Sequence, residues 1–399
     1  MVERLKEQDV VLVSAARLPV GRLGGSLKDV DEIDMGVAVI QAALERAGVP
    51  TDAVDEVIMG QNFRTGKTAS NSARVMGIRA GIPMEVPGFT VNKHCAAGIK
   101  TVNLAAQAIR SGDAQVVIAG GVEQMSAAAF FVPGKIRWGT PLGHQTLQDQ
   151  LIMRDPICDL TMGETAEKLA GTFSIGRQEQ DEFAVWSQEK AETAIKGGKF
   201  TDEIVPFPVP QRKGDPLVFD QDEHPRFGTT LEALARLKPV FAKDGTVTAG
   251  NASGMNDGAG ALVVTSGAYA RAHGLKPMAR LMGYVAVGVD PSIMGTGPVP
   301  ATQKLLKGLG LNLSEMSLIE LNEAFACMCV YYQRQLEPDL DLVNPNGGAI
   351  ALGHPIAATG SVILTRLLYE LRRRQGQYGL ATMCIGGGQG VALAVENLG

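Results

Sequence analysis

The chain is short of cysteine, of aromatic residues and of concentrated charge. Its 399 residues include 5 Cys, 2 Trp, 6 Tyr and 12 Phe, and 37 Lys+Arg nearly balance 42 Asp+Glu. Five cysteines are an odd number and too sparse for a disulfide framework, so free thiols are expected. A net charge of −5 with no basic block excludes a nucleic-acid partner from the expectations. Apolar runs such as Val10–Ala16 and Val362–Leu364 fall far short of the roughly 20 residues of a membrane span, so no membrane partner is expected. The stretch Met1–Asp9 is charged and lacks the apolar core and small-residue cleavage site of a signal peptide, which makes cytoplasmic the expected localisation. What the chain does have is 45% hydrophobic residues, ample for two or three domain cores, and 48 glycines, a sign of tight packing and backbone-lined turns.

Internal repetition is the strongest organisational signal. Ala43–Gly48 followed by Val54–Gly60 reads as helix, glycine stop, short loop and strand; Leu305–Gly310 followed by Met316–Asn322 repeats that design. Gly48 and Gly310, Gly60 and Asn322, and Gly98 and Gly360 are each separated by 262 residues. The later helices both lead to an apolar strand ending in glycines, Val116–Gly121 and Ala381–Gly387. Three anchors at one offset predict an α/β chain of two duplicated sheet-bearing halves covered by helices. The stretch from about Glu123 to Ala249 has no counterpart in the second half. An insertion of that size usually serves substrate recognition or assembly. Ala261–Thr265 reads as a short buried strand returning to the first half.

Three residues stand out chemically. Cys95 lies between a strand-like run and a helical one, with small residues at 96–98 leaving it open. A helix start is expected to lower a thiol's pKa, although a lone free cysteine is more often structural. His354, in a Gly-rich turn, precedes the duplicated helix, so a pseudo-twofold packing would bring it towards Cys95; alone, it reads as a turn residue. Cys384 ends an apolar strand just before Gly386-Gly-Gly, whose N–H groups suit an oxyanion; the alternative is a core cysteine beside a turn. Asn322-Glu323 ends a strand, where α/β sites gather, or else caps the following helix.

Other patterns are set aside. Gly60–Thr68 resembles a phosphate-binding loop but has five residues between its glycines where that loop needs about four. Cys327 and Cys329 have no spaced His or Cys partners, so no metal is expected. Gly295-Thr-Gly297-Pro fails the dinucleotide fingerprint at its third glycine.

The blocks Val91–Gly98, Gly120–Ser126, Gly250–Gly258, Asn322–Ala326, Gly347–Pro355 and Cys384–Gly390 occur together and in order. On these blocks the chain resembles the thiolase family from end to end, and within it the acetoacetyl-CoA thiolases. The resemblance implies an α/β thiolase fold with a five-layered αβαβα arrangement and an inserted loop domain. The implied domains are an N-terminal half over residues 1–122 completed by 247–272, a loop domain over 123–246, and a C-terminal half over 273–399.

The resemblance also assigns roles. Cys95 matches the acyl-accepting nucleophile, His354 its activator and Cys384 the acid/base at the α-carbon of the second substrate. Asn322 matches the residue that holds a water in one oxyanion hole, shared with the His354 ring, and the Cys95 and Gly386 N–H groups match the other. Met162, Arg226, Ala249 and Ser253 match positions along the coenzyme A groove, and Phe241, Met294, Ala324 and Phe325 match positions around the pantetheine and acyl end. The sequence departs from the family pattern at Ala97, Thr161, Ala357 and Thr359. The implied activity is acetyl-CoA C-acetyltransferase, a ping-pong Claisen condensation through S-acetyl-Cys95. A degradative 3-ketoacyl-CoA thiolase and a non-catalytic acyl-CoA- or lipid-binding protein are the alternatives. The implied ligands are acetyl-CoA, acetoacetyl-CoA and CoA, with no permanently bound cofactor. A homo-oligomer is expected, a dimer or a tetramer, and Phe130-Phe131 is a candidate contact.

Overall fold

Asp31 and Gly48 bound the first long helix, α1 (Glu32–Ala47). The Asp31 carboxylate accepts from the Ile33 N–H, and Gly48 ends the helix in the left-handed region at φ 64° and ψ 28°. Gly310 stops the equivalent second-half helix at φ 69° and ψ 28°. The 262-residue spacing therefore marks the same helix end, built twice. These features come from a computed structural model that describes residues 5–63, 65, 71–140 and 142–399. Part of the phosphate-loop look-alike, including Gly66-Lys67-Thr68, lies outside the described residues.

The first half contributes β1 (Val10–Arg17), β2 (Glu56–Gly60), β3 (Gly88–Val91), β4 (Val116–Gln124) and β5 (Asn256–Ser266). The second contributes β6 (Ala279–Gly288), β7 (Leu318–Leu321), β8 (Tyr378–Ile385) and β9 (Gln389–Asn397). Hydrogen bonding gives the order β7-β8-β9-β6-β1-β5-β4-β2-β3. Each half thus repeats one pattern. β2 runs parallel to β4 as β7 does to β8, β3 adds a further parallel edge beside β2, and the remaining neighbours are antiparallel. The halves are joined at β1 and β6 through only two residue pairs, Val11 with Arg280 and Leu12 with Ala279. In the second half, β8 turns into β9 through Gly386-Gly387-Gly388; in the first, residues 125–255 fill the equivalent connection between β4 and β5.

Alternation along the strands creates three cores, because successive side chains point to opposite faces. Val11, Val13, Ile118 and Val263 face α1, packing with Ile33, Val39 and Ile40. Leu12, Val117, Leu262, Met383 and Leu393 face the middle, meeting α2 (Ala97–Ser111) through Ile99 and Val102. The last long helix also packs there, through Ile363, Leu364 and Leu367. On the far side, Ile319, Leu380 and Ala392 meet α3 (Met162–Thr172) in the insertion and, in the second half, α5 (Pro298–Leu309) and α6 (Ala326–Leu336). The insertion also holds α4 (Arg177–Lys196), and the central second-half helix is α7 (Ile356–Arg373). Helix, sheet, helix, sheet, helix is the five-layered arrangement expected from the sequence. Each fully buried Leu or Ile in these layers stabilises it by about 1.5–3 kcal/mol. No helix among the described residues is long and apolar enough to cross a membrane.

α2 and α7 cross in the central layer at their matching glycines. A Cβ on Gly98 would lie 2.5 Å from the Ser361 nitrogen, and one on Gly360 would lie 2.4 Å from the Ile99 nitrogen. That approach, open only to glycine, brings the two helix starts together with the residues just before them.

Candidate active site

Cys95 sits in the single turn His94–Ala96 that feeds α2, half-buried on the central core and packed against Ile356, the first residue of α7. His94, immediately before it, takes a left-handed conformation at φ 46°, held by its N–H donating to Asn92 Oδ1 at 3.0 Å. Ala97, the first residue after this turn, packs on Gly60, where a Cβ would fall 2.7 Å from its methyl.

The thiol's titration departs from the sequence expectation. Burial pushes Cys95 up to about 11, outweighing the helix start; the nearby Gly386 N–H pulls it only part of the way back. At rest Cys95 is therefore a protonated thiol, and a base would be needed to make it a thiolate. Cys384, fully buried at the end of β8, is pushed well above the ordinary thiol range by burial and next by the nearby Cys95. Both sulfurs and the Gly386 N–H share one site.

His354 is 7% exposed, and burial lowers its pKa to about 4, so the ring is neutral at physiological pH. Its backbone N–H donates to Asn256 Oδ1 at 2.9 Å, and Nδ1 lies 2.7 Å from Thr359 Oγ1. With Nδ1 occupied by Thr359, Nε2 is the nitrogen available for proton transfer.

Asn322 follows β7, its N–H donating to the Thr382 carbonyl at 3.0 Å. Its side chain is 1% exposed, yet neither Oδ1 nor Nδ2 has a hydrogen-bond partner among the described residues. A buried amide costs free energy if it stays unpaired, so one held this way is a candidate for receiving a ligand or water. Glu323, the other half of that polar pair, is a structural clamp: it accepts from Ser187 Oγ at 2.6 Å, Asn344 Nδ2 at 2.7 Å and the Ile350 N–H at 3.1 Å.

Most of the substrate-side candidates also converge. The Ser253 N–H donates to the Ala324 carbonyl at 2.9 Å, and the neighbouring Ala252 bridges to Phe325. Phe325 meets Phe241 edge-on at 6.2 Å between ring centroids. The Phe241 ring occupies the space a side chain on Gly163 would need, and Met162 Sδ lies 3.4 Å from where a Cβ on Gly386 would be. Met294 is buried in the same cluster. Arg226 and Ala249 are on the surface, outside this buried group. Thr161 caps α3 in a reciprocal box, its hydroxyl accepting from the Glu164 N–H at 3.3 Å while Glu164 accepts from the Thr161 N–H at 2.6 Å.

Several supports escaped the sequence reading. Glu123 accepts from the N–H groups of Asn62 at 3.3 Å, Phe63 at 2.9 Å and Ala357 at 3.0 Å, tying α7 to the first half, and burial pushes its carboxyl up to about 8. Asp155 in the insertion accepts from the Gly387 N–H at 2.8 Å, bracing the glycine turn that presents Gly386. Glu123 lies inside a quoted motif, a signal available in the sequence; Asp155 carries none.

Comparison with known proteins follows this geometry. The family profile described as "Thiolase, N-terminal domain" matches residues 10–268, and "Thiolase, C-terminal domain" matches residues 275–397. An "Acetyl-CoA acetyltransferase" of Pseudomonas aeruginosa is 53% identical over 391 residues, covering 97% of this chain and 99% of the relative. One from Escherichia coli is 50% identical over 395 residues, covering 98% of this chain and 100% of the relative. The solved Bacillus anthracis acetyl-CoA acetyltransferase has a TM-score of 0.95 at 44% identity, covering 98% of this chain and 99% of that one. Human mitochondrial 3-ketoacyl-CoA thiolase in complex with CoA also has a TM-score of 0.95 at 44% identity, covering 99% of this chain and 100% of that one.

Proposed function

The chain belongs to the thiolase family, and from that premise we propose that it is an acetyl-CoA C-acetyltransferase, joining two acetyl-CoA into acetoacetyl-CoA and CoA reversibly. The observation that carries this reading is the meeting of Cys95, Cys384 and the Gly386 N–H at one site, beside the start of the helix that His354 precedes. Relatives about half identical over their full length bear the matching name.

The chemistry runs in two halves. His354 Nε2 takes the Cys95 proton as the sulfur attacks the acetyl carbonyl, and the Cys95 and Gly386 N–H groups receive the oxyanion. Coenzyme A leaves as a thiol by taking the Cys384 proton. The resulting Cys384 thiolate removes a proton from the methyl group of the second acetyl-CoA. A water held by Asn322, together with protonated His354, stabilises the enolate oxygen. The carbanion attacks the acetyl carbon, and Cys95 departs and recovers its proton from His354. Each side chain ends in the protonation state it began with, the methyl proton replacing on Cys384 the one carried off by CoA, so the steps call on no permanently bound cofactor; CoA thioesters are the substrates. Met162, Phe241, Ser253, Met294, Ala324 and Phe325 line the pantetheine and acyl side. Arg226 and Ala249, on the surface, serve the nucleotide end of coenzyme A, where a cation favours phosphate.

Assembly is the other part of the proposal. Phe130 is 60% exposed, Phe131 55% and Trp138 84%, all in the insertion, and a patch of this kind suits contact between copies. A homo-oligomer, a dimer or tetramer, in the cytoplasm is the corresponding reading. The division of labour is residues 1–122 with 247–272 and residues 273–399 for the catalytic halves, with 123–246 for coenzyme A and oligomer contacts.

The likeness to human 3-ketoacyl-CoA thiolase supports a second reading, broader chain-length use. CoA-dependent thiolysis separates the two: a strong preference for acetoacetyl-CoA over a medium-chain 3-ketoacyl-CoA is expected. Comparable rates on both would favour the second reading, and no cleavage of either would defeat both.

A further inference from the structure

The central helix α7 begins without a cap of its own. The residue before it is Pro355, which offers no side-chain oxygen to the free N–H groups of the first turn. The acceptor comes instead from the other half of the chain. Glu123, near the end of β4, takes the Ala357 N–H at 3.0 Å from 234 positions away. A carboxyl group there also meets the positive end of the helix dipole. The same carboxyl is fully buried and accepts from the loop after β2, through the Asn62 N–H at 3.3 Å and the Phe63 N–H at 2.9 Å.

All three partners of Glu123 lead to Cys95. Asn62 Oδ1 lies 2.9 Å from His94 Nδ1, and the Asn62 carbonyl accepts from Asn92 Nδ2 at 3.4 Å. Asn92 in turn takes the His94 N–H, so the loop grips, by ring and by backbone, the residue whose left-handed conformation leads the chain into Cys95. Phe63 and Ile356, the neighbour of Ala357, belong to the small apolar cluster on which Cys95 packs. His354 lies just before Ile356 on the segment that Glu123 caps.

We propose that Glu123 is a positioning residue for acyl transfer: one buried carboxyl cross-links the start of α7, behind His354, to the loop that holds His94, and so fixes Cys95 and His354 relative to each other. The catalytic consequence rests on the proposed roles of Cys95 and His354; the cross-link itself is structural. Its charge acts in the opposite sense. Burial pushes Glu123 to about 8, so the group is ionised through the alkaline range in which Cys95 titrates, and there it opposes the thiolate. Asp257 on β5 also faces Glu123, and Cys384 on β8 also faces Cys95. Neutralising Glu123 therefore makes the thiol easier to ionise while it loosens the geometry that uses the thiol. A residue that served the fold alone would not separate those two effects.

Three variants test this. Glu123→Gln keeps the size, removes the charge and sets an amide NH₂ against backbone donors. Acetylation of Cys95 by acetyl-CoA is expected to slow about tenfold or more, while the pH profile of Cys95 alkylation by iodoacetamide moves down by about half a unit or more. Glu123→Asp keeps the charge but draws it back by a methylene, so slower acetylation is expected with an alkylation profile within about 0.2 unit of wild type. Asn62→Ala removes the bond to the His94 ring and leaves the backbone bonds to Glu123 in place. It is expected to slow acetylation about threefold or more, and it carries the test if the Glu123 variants do not fold. Wild-type acetylation in Glu123→Gln or in Asn62→Ala would overturn the positioning role. An alkylation profile that stays put in Glu123→Gln would overturn the charge coupling. Wild-type protein that takes up no acetyl group would count against the proposed function instead, and the alkylation profiles, which need no turnover, would still decide whether Glu123 acts on Cys95.

Discussion

Gly98 and Gly360 meet backbone to backbone in the central layer, and they are the same position of the duplicated half. A Cβ on Gly98 would lie 2.5 Å from the Ser361 nitrogen, and one on Gly360 2.4 Å from the Ile99 nitrogen. Because backbone rather than flexible side chain stands in the way, neither site can relax locally. Gly98→Ala and Gly360→Ala are each expected to destabilise the protein by about 1–3 kcal/mol, the usual cost of overpacking, as read by denaturant unfolding. A change of a few tenths of a kcal/mol would show that the helices separate easily.

In the proposed mechanism the two cysteines divide the reaction between them. Cys95→Ala should abolish radiolabel transfer from acetyl-CoA to protein and lower turnover by at least about 100-fold, with the fold intact. Cys384→Ala should still take up one acetyl group yet fail at condensation by a similar factor. A Cys384→Ala enzyme that condenses normally would remove it from the mechanism.

Thr359 holds His354 Nδ1 at 2.7 Å. When Nε2 acts as the base, Nδ1 carries the hydrogen and the threonine oxygen accepts it. Thr359→Val leaves that N–H unpaired in a buried site and frees the ring to turn, so kcat should fall about tenfold or more. Thr359→Ser should restore most of the rate. Equal activity in the valine and serine variants would show that the hydroxyl is not used.

Burial raises Cys95 to about 11 and lowers His354 to about 4. In the resting protein, alkylation of Cys95 by iodoacetamide should keep accelerating beyond pH 9, whereas an ordinary thiol with pKa about 8.5 levels off. A plateau below pH 8 would contradict this. For His354 the folded-state value lies below the ordinary 6.5. Its stabilising contribution is complete above that value and is lost as the pH falls through about 4. His354→Asn should accordingly flatten the fall of melting temperature across that interval.

The apolar residues of the insertion provide a test of assembly. Replacing Phe130 and Phe131 together with Ser should lower the sedimentation coefficient and leave the melting temperature within a few degrees, since both side chains are exposed. An unchanged coefficient would place the contact elsewhere.

The duplication was legible because helix ends and strand ends leave local marks. Gly48 and Gly310 stop helices by the same left-handed turn, and the spacing between them is visible without coordinates in space. The candidate site was legible for a related reason: Cys95 and His354 each sit beside a repeated landmark. The direction of the Cys95 shift was not. Sequence shows that a helix begins there, but the burial that outweighs it depends on three packed layers. Thr359 stood out only as a departure from the family pattern, since its partner is a ring five residues back whose orientation the sequence does not specify. Glu123 meets Ala357 across 234 positions, and Asp155 meets Gly387 across 232; no local pattern announces contacts of that kind.

The bond from the Gly387 N–H to Asp155 gives the insertion a stake in the chemistry that its place in the chain would not suggest. The donor at Gly386 is aimed by a carboxylate from the segment that also carries the exposed apolar residues. An enzyme engineer who exchanged this insertion for a relative's, to change acyl preference or assembly, would be swapping with it the support of the proposed oxyanion donor. Keeping an acceptor at 155 is then a condition of modular redesign here: a graft that lost it could fold, assemble and bind coenzyme A, and still be a slow catalyst.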